Sequence, residues 1–99
     1  MIEYKNTYKD FFCYALDENV PSEISGGVAV DIHHIKFKSR GGNDRIENLM
    51  ALTRGEHLLA HTGHYTEDWL RMQHHNFIKE NRPDYTIKIN GDERMDENK

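Results

Sequence analysis

Five residues between positions 33 and 61 carry reactive side chains at informative spacing: His33, His34, Asn48, His57 and His61. The His pair closes an apolar run, Asp31-Ile32-His33-His34-Ile35. Asn48 follows His34 by fourteen residues and heads a second apolar run, Asn48-Leu49-Met50-Ala51-Leu52. His57 comes nine residues later and His61 four after that. Imidazole is a common ligand for divalent metals and the usual general base near neutral pH. Three His ligands beside a further His that is free to take a proton suit metal-assisted hydrolysis of a phosphodiester.

The elements that must position these groups are legible in outline. Val28 to Ile35 is β-branched and alternating, and reads as a strand that delivers the His pair. Lys36 to Glu47 is polar, with Gly41-Gly42 at its centre, and reads as a loop. A loop that long in a small domain is usually functional. Asn48 to Leu52 is a short second strand. Thr53-Arg54-Gly55-Glu56 is a capping box that starts a helix, so His57 and His61 share one helical face. Taken alone, such a pair is an ordinary exposed helix face. Gly63 is a plausible residue just beyond the end of that helix.

Around this centre, Thr7-Tyr8-Lys9-Asp10 predicts the start of an N-terminal helix, with Phe11, Phe12, Ala15 and Leu16 on its apolar face. Asp17 to Pro21 ends it, and Ser22 to Gly27 is a turn. Thr66 caps a third helix over about 67–80, with Trp69, Leu70, Gln73 and Phe77 on one side. Pro83 stops it. Tyr85, Ile87 and Ile89 alternate as a short terminal strand, and residues 92–99 are charged and read as disordered. His64, His74 and His75 read as surface residues. Cys13 reads as a small buried side chain.

The fold class is α+β, in a single domain spanning residues 1–99. The length of 99 residues allows a modest core. No run approaches the ~20 apolar residues of a membrane span, and no membrane partner is expected. The N-terminal residues lack a basic region followed by an apolar one, so no signal peptide is expected. A single cysteine excludes an intrachain disulfide and a Cys-based metal site, and a reducing cytoplasm is the expected compartment.

The formal net charge is −4, unfavourable for meeting a polyanion. Its distribution is uneven. Residues 1–30 hold two basic and five acidic groups, and residues 84–99 three and five; residues 31–83 hold eight basic, seven acidic and all seven histidines. Within the centre, Lys36, Lys38, Arg40, Arg45 and Arg54 are the candidate phosphate contacts. A bound divalent cation adds two further positive charges there.

This arrangement resembles the HNH nucleases, the ββα-metal group that includes the colicin DNases. The resemblance covers roughly residues 21–63, and its tail-ward and N-terminal flanks are helices outside the core. It rests on Val30-Asp31-Ile32-His33-His34-Ile35, Gly41-Gly42, Asn48-Leu49-Met50-Ala51-Leu52-Thr53-Arg54 and His57 with His61, in that order and spacing. It implies a β-hairpin packed on a helix around one divalent ion, Zn2+ or else Mg2+ or Mn2+. His33, His57 and His61 correspond to its ligands, with Asp31 the rival to His33. His34 corresponds to the general base, oriented by a backbone contact. Asn48 corresponds to the residue that hydrogen-bonds across the long loop and fixes the base strand.

The implied activity is endonucleolytic hydrolysis of DNA, leaving 5′-phosphate and 3′-hydroxyl ends. Double-stranded DNA is the expected partner, with a second protein as a source of specificity, in settings such as phage, mobile elements or defence. The other class of function is a binding module, for nucleic acid or protein, that uses one zinc for structure.

Two departures from the family pattern stand out. Many relatives carry Cys-x-x-Cys pairs that form a zinc knuckle. Here Ser22-Glu23-Ile24-Ser25 stands where the first pair would be, and Arg54-Gly55-Glu56-His57 lacks the second. Hydroxyls are poor zinc ligands, so no second zinc is expected and the flanking helices must supply stability by packing. The other departure is geometric. Adjacent residues on a strand face opposite ways, so His33 and His34 can serve one site only if the strand twists, bulges or ends there.

Overall fold

Residues 3–88 are described by a computed structural model. Its elements are α1 (Glu3–Phe11), β1 (Val20–Pro21), β2 (Val28–Ala29), β3 (Asp31–His34), β4 (Leu49–Leu52), α2 (Arg54–His61) and α3 (Glu67–Asn81). The class is α+β, with two antiparallel hairpins, β1–β2 and β3–β4. Single 3-10 turns at Lys38–Arg40 and Ile46–Asn48 shape the loop between β3 and β4.

β4 is the axis of the core, with all four residues buried. Alternation sends them to two sides. Leu49 and Ala51 join Tyr8 of α1, Val20 and Ile46. Met50 and Leu52 join Ile35, Ala60 of α2 and Leu70 of α3. Its pairing with β3 then sets which way each β3 residue faces. Asp31 lies opposite Leu52 and His33 opposite Met50, on the α2 side; Ile32 lies opposite Ala51 and His34 opposite Leu49, on the α1 side.

The capping box at Thr53 forms: its side chain accepts from the Glu56 N–H, and Glu56 accepts from the Thr53 N–H. Thr66 caps α3 by accepting from the Trp69 N–H. Gly63 follows α2 at φ +86°, the left-handed conformation its sequence position suggested. The turn at 22–25 is tied to α2 by hydrogen bonds. Ser22 Oγ donates to Glu56 Oε1 at 2.5 Å in a buried contact.

Several expectations are corrected. α1 spans Glu3–Phe11, so Thr7 is inside it and not at its start. Burial of Tyr8 against the hairpin sets the helix position, and Cys13 at φ +65° turns the chain away before Ala15 and Leu16. Leu16 and Cys13 are both exposed. The expected strand 28–35 breaks at Val30, because β2 pairs with β1 while β3 pairs with β4. The buried stripe of α3 is Leu70, His74 and Ile78, one step round from the expected one. Trp69 packs partly buried against Tyr65, and Phe77 meets Phe12 edge-on. Residues 85–88 form no strand; Tyr85 donates its hydroxyl to Glu47 Oε2 at 2.5 Å. Ile89 and residues 92–99 lie outside the described residues.

His74 is the largest surprise: its side chain is fully buried. Nδ1 lies 2.7 Å from Glu23 Oε1 and Nε2 lies 2.6 Å from the Ile46 carbonyl. Both partners are acceptors, so both ring nitrogens must carry protons. Burial pushes the pKa down, but the Glu23 carboxylate and the Ile46 carbonyl outweigh it and raise it above the ordinary value. Tyr8 donates to the other Glu23 oxygen at 2.6 Å. This buried network joins α1, the 22–25 turn, the long loop and α3. Among the described residues, no helix is long and apolar enough to cross a membrane.

Candidate metal centre and cleft

β3 and α2 bring three imidazoles together. One ring nitrogen each from His33, His57 and His61 lies within 4.8 Å of those of the other two. The α2 capping box fixes where the helix starts, and the i,i+4 spacing then presents His57 and His61 side by side. Their Nε2 atoms are 3.0 Å apart. The face of β3 opposite Met50 supplies His33, which is only 2% exposed.

The surroundings of His33 favour its neutral form. Burial, together with the neighbouring His57, His61 and His34, pushes His33 down to about 3, so its lone pair is available throughout the neutral range. Asp31 sits on the same face of β3. Its Oδ2 lies 3.0 Å from His57 Nδ1 and also accepts from Arg54 Nε at 3.0 Å. Burial alone would raise the Asp31 carboxyl, but the hydrogen bonds from His57 and Arg54 hold it below its usual range. A carboxylate on Nδ1 leaves Nε2 as the donor nitrogen of His57. Asp31 thus orients a candidate ligand, where the sequence left it as a rival ligand. Phe37 stacks on His61 with ring centroids 4.9 Å apart and meets His33 edge-on. A three-imidazole set with one oriented ring is a fitting donor set for a divalent transition metal.

His34 lies on the opposite face of β3, as alternation demands. Yet β3 ends at His34, so a cleft wraps round the strand end and reaches both histidines. It measures about 360 Å³ and is lined by Tyr4, Ile32, His33, His34, Phe37, Lys38, Ser39, His57 and His61. The His34 ring lies 4.7 Å from that of Tyr4. Its Nε2 is 2.8 Å from Asp44 Oδ1, so its partner is a loop carboxylate where a backbone contact was expected. Lys38 Nζ donates to both Asp44 oxygens at 3.2 Å.

Asn48 is fully buried and ties the loop to itself. Its Oδ1 accepts from the Lys36 N–H at 2.7 Å, and its Nδ2 donates to the Lys36 carbonyl at 3.1 Å and the Asn43 carbonyl at 2.9 Å. Gly42 makes that closure possible. A Cβ there would lie 1.8 Å from the Lys36 carbonyl oxygen and 2.9 Å from Asn48 Nδ2.

The five basic residues are not gathered in one place. Lys38 lines the His cleft. Arg40 lines an adjoining cleft of about 270 Å³ that shares His33, Phe37 and His61 with it, and pairs with Glu67 at 3.1 Å. Arg54 is held by Asp31. Arg45 lines a different hollow, with Asp10 and Tyr85. Lys36 offers its backbone to Asn48.

Sequence reasoning missed Tyr4, Phe37 and the contact between Asp44 and His34. Only Asp31 carried a usable signal, its two-residue offset from His33. Comparison with protein-family models, with curated proteins and with solved structures returns no match.

Proposed function

We propose that the chain is a metal-dependent endonuclease of the HNH type, built on a ββα core of β3, β4 and α2, that hydrolyses phosphodiester bonds of DNA. The observation that carries the reading is the convergence of His33, His57 and His61, with ligand atoms within 4.8 Å, beside His34 in one cleft. These three would hold the ion, Zn2+ or else Mg2+ or Mn2+. When bound, it supplies Lewis-acid polarisation of the phosphoryl oxygen and stabilises the leaving 3′ oxygen. His34 takes the proton from the attacking water, a contribution of ~10²–10⁴-fold in rate. Asn48 holds the loop between the two strands in place, and Lys38 and Arg40 meet flanking phosphates. The products carry 5′-phosphate and 3′-hydroxyl ends. The sparse basic surface suits a nuclease directed to its target by another protein.

A structural zinc in a binding module would be closed by four protein ligands. Among the described residues no fourth His, Cys, Asp or Glu joins the three histidines. Asp31 is engaged by His57 and Arg54, and His64 is exposed beside Tyr65. An open position favours the catalytic reading.

The test is cleavage of supercoiled plasmid with each added metal. Tag-free protein should nick or linearise DNA, and His34→Ala should bind metal without cutting. The triple Ala variant of His33, His57 and His61 should lose both. Equal metal content in wild type and triple variant refutes the centre, and cleavage by His34→Ala at the wild-type rate refutes the base.

A further inference from the structure

Asp44 comes from the long polar loop, ten residues beyond His34 in the chain, and nothing in its sequence position assigns it a role. Its Oδ1 lies 2.8 Å from His34 Nε2, and the same carboxylate accepts from Lys38 at 3.2 Å through each oxygen. A carboxylate has no proton to give, so His34 Nε2 carries the hydrogen in this contact. In the neutral ring, Nδ1 is then the nitrogen that holds the lone pair. Tyr4 packs against the ring, 4.7 Å between centroids. The ring is thus held by packing and its tautomer by a charge.

We infer that Asp44 is the positioning residue for the general base, selecting the His34 tautomer whose Nδ1 accepts a proton, with Lys38 holding the carboxylate in place. The inference rests on the nuclease reading of the cleft. In the step it serves, His34 Nδ1 takes one proton from water as the water oxygen bonds to phosphorus. The bond from phosphorus to the 3′ oxygen breaks, its electron pair stays on that oxygen, and solvent supplies the proton that makes the 3′-hydroxyl. The imidazolium left behind faces the Asp44 carboxylate, which favours its formation in the transition state and not in the bound ground state. Such an interaction changes kcat and leaves substrate binding nearly untouched.

Two structural supports make the geometry specific to this residue. Asn48 pins Lys36 and Asn43 on either side of the loop, and Asn43 Oδ1 accepts from the Arg45 N–H at 2.9 Å. Asp44 lies between Asn43 and Arg45, which that last bond ties together, so its carboxylate is placed by the loop as well as by Lys38. Side-chain exposure of Asp44 is 45%, and removing its charge leaves no buried group unpaired in the core.

The experiment compares Asp44→Asn and Asp44→Glu with wild type under steady-state plasmid or oligonucleotide cleavage, with metal content and melting temperature measured alongside. An Asn side chain can donate to Nε2 and stabilise the wrong tautomer. Asp44→Asn should therefore lose kcat by roughly ten- to a hundredfold, less than the ~10²–10⁴ that the general base itself contributes, with KM changed less than threefold. Asp44→Glu should recover part of that loss. In a His34→Ala background, Asp44→Asn should cause no further loss, since the two act as one unit. Full kcat in Asp44→Asn, a change confined to KM, or a loss that multiplies with that of His34→Ala overturns the inference. Those outcomes beside a His34→Ala that is reduced to a small residual rate refute only the role of Asp44. An active His34→Ala refutes the nuclease mechanism and this inference with it.

Discussion

Truncating Asn48 to Ala removes three hydrogen bonds from one fully buried amide, those to the Lys36 N–H, the Lys36 carbonyl and the Asn43 carbonyl. Each such bond contributes about 0.5–1.5 kcal/mol net. The partners are backbone groups in a partly buried loop, so some regain water. A total loss of about 2–4 kcal/mol follows, set against the about 5–15 kcal/mol of a small domain. Asn48→Asp should be no better. It keeps the acceptor for Lys36 but sets an anionic oxygen against two carbonyls. Urea unfolding of both variants measures the loss directly, and hydrogen exchange at the Lys36 amide reports whether the loop has opened. Metal binding should survive, because His33, His57 and His61 sit on β3 and α2 and not on the loop, while turnover should fall. A destabilisation below about 0.5 kcal/mol, or wild-type turnover in Asn48→Ala, would show that the loop holds its shape without this tether.

Gly42→Ala should be at least as damaging, since its Cβ would sit 1.8 Å from the Lys36 carbonyl oxygen; a melting temperature equal to wild type contradicts that. Two histidines should give the metal-free protein opposite pH arms. His74, raised in the fold, contributes stability that is complete below about 6.5 and lost as pH rises through its folded pKa. His33, pushed down to about 3, makes the fold lose stability as pH falls below about 6.5. Glu23→Gln should flatten the alkaline arm alone in urea titrations at a series of pH values, and an unchanged arm rejects the buried imidazolium. DNA affinity of metal-loaded His34→Ala should weaken with salt at a log–log slope of roughly −2, for the two cations that border the clefts, Lys38 and Arg40. A slope near −5 would require Lys36, Arg45 and Arg54 to reach the same phosphates.

Legibility followed the range of the interactions. The capping box at Thr53, the N-cap at Thr66 and the end of α2 at Gly63 depend on residues within a turn, and all three are readable in the sequence. α1 was misplaced because its position is set by Tyr8 docking on Glu23 and the hairpin, fifteen residues away in the chain. The break at Val30 was hidden because alternation continues through it while the pairing partner changes from β1 to β4. His74 reads as a surface residue in the sequence because its partners, Glu23 and Ile46, are 51 and 28 residues distant.

For the site itself, spacing alone placed His57 and His61 on one helical face and put His33 and His34 at a strand end, since helix and strand periods are local properties of the backbone. The long loop and its central glycines were equally plain. What only the tertiary structure decided is which partners those side chains meet. The β3–β4 register turned Asp31 and His33 together toward α2, making Asp31 an orienting group for His57. Closure of the loop on Asn48 carried Asp44 back to His34, and docking of α1 set Tyr4 against the same ring. Those contacts depend on chain closure and on packing between elements. A linear reading of residue types contains neither, because the free energy that selects them is that of the whole fold.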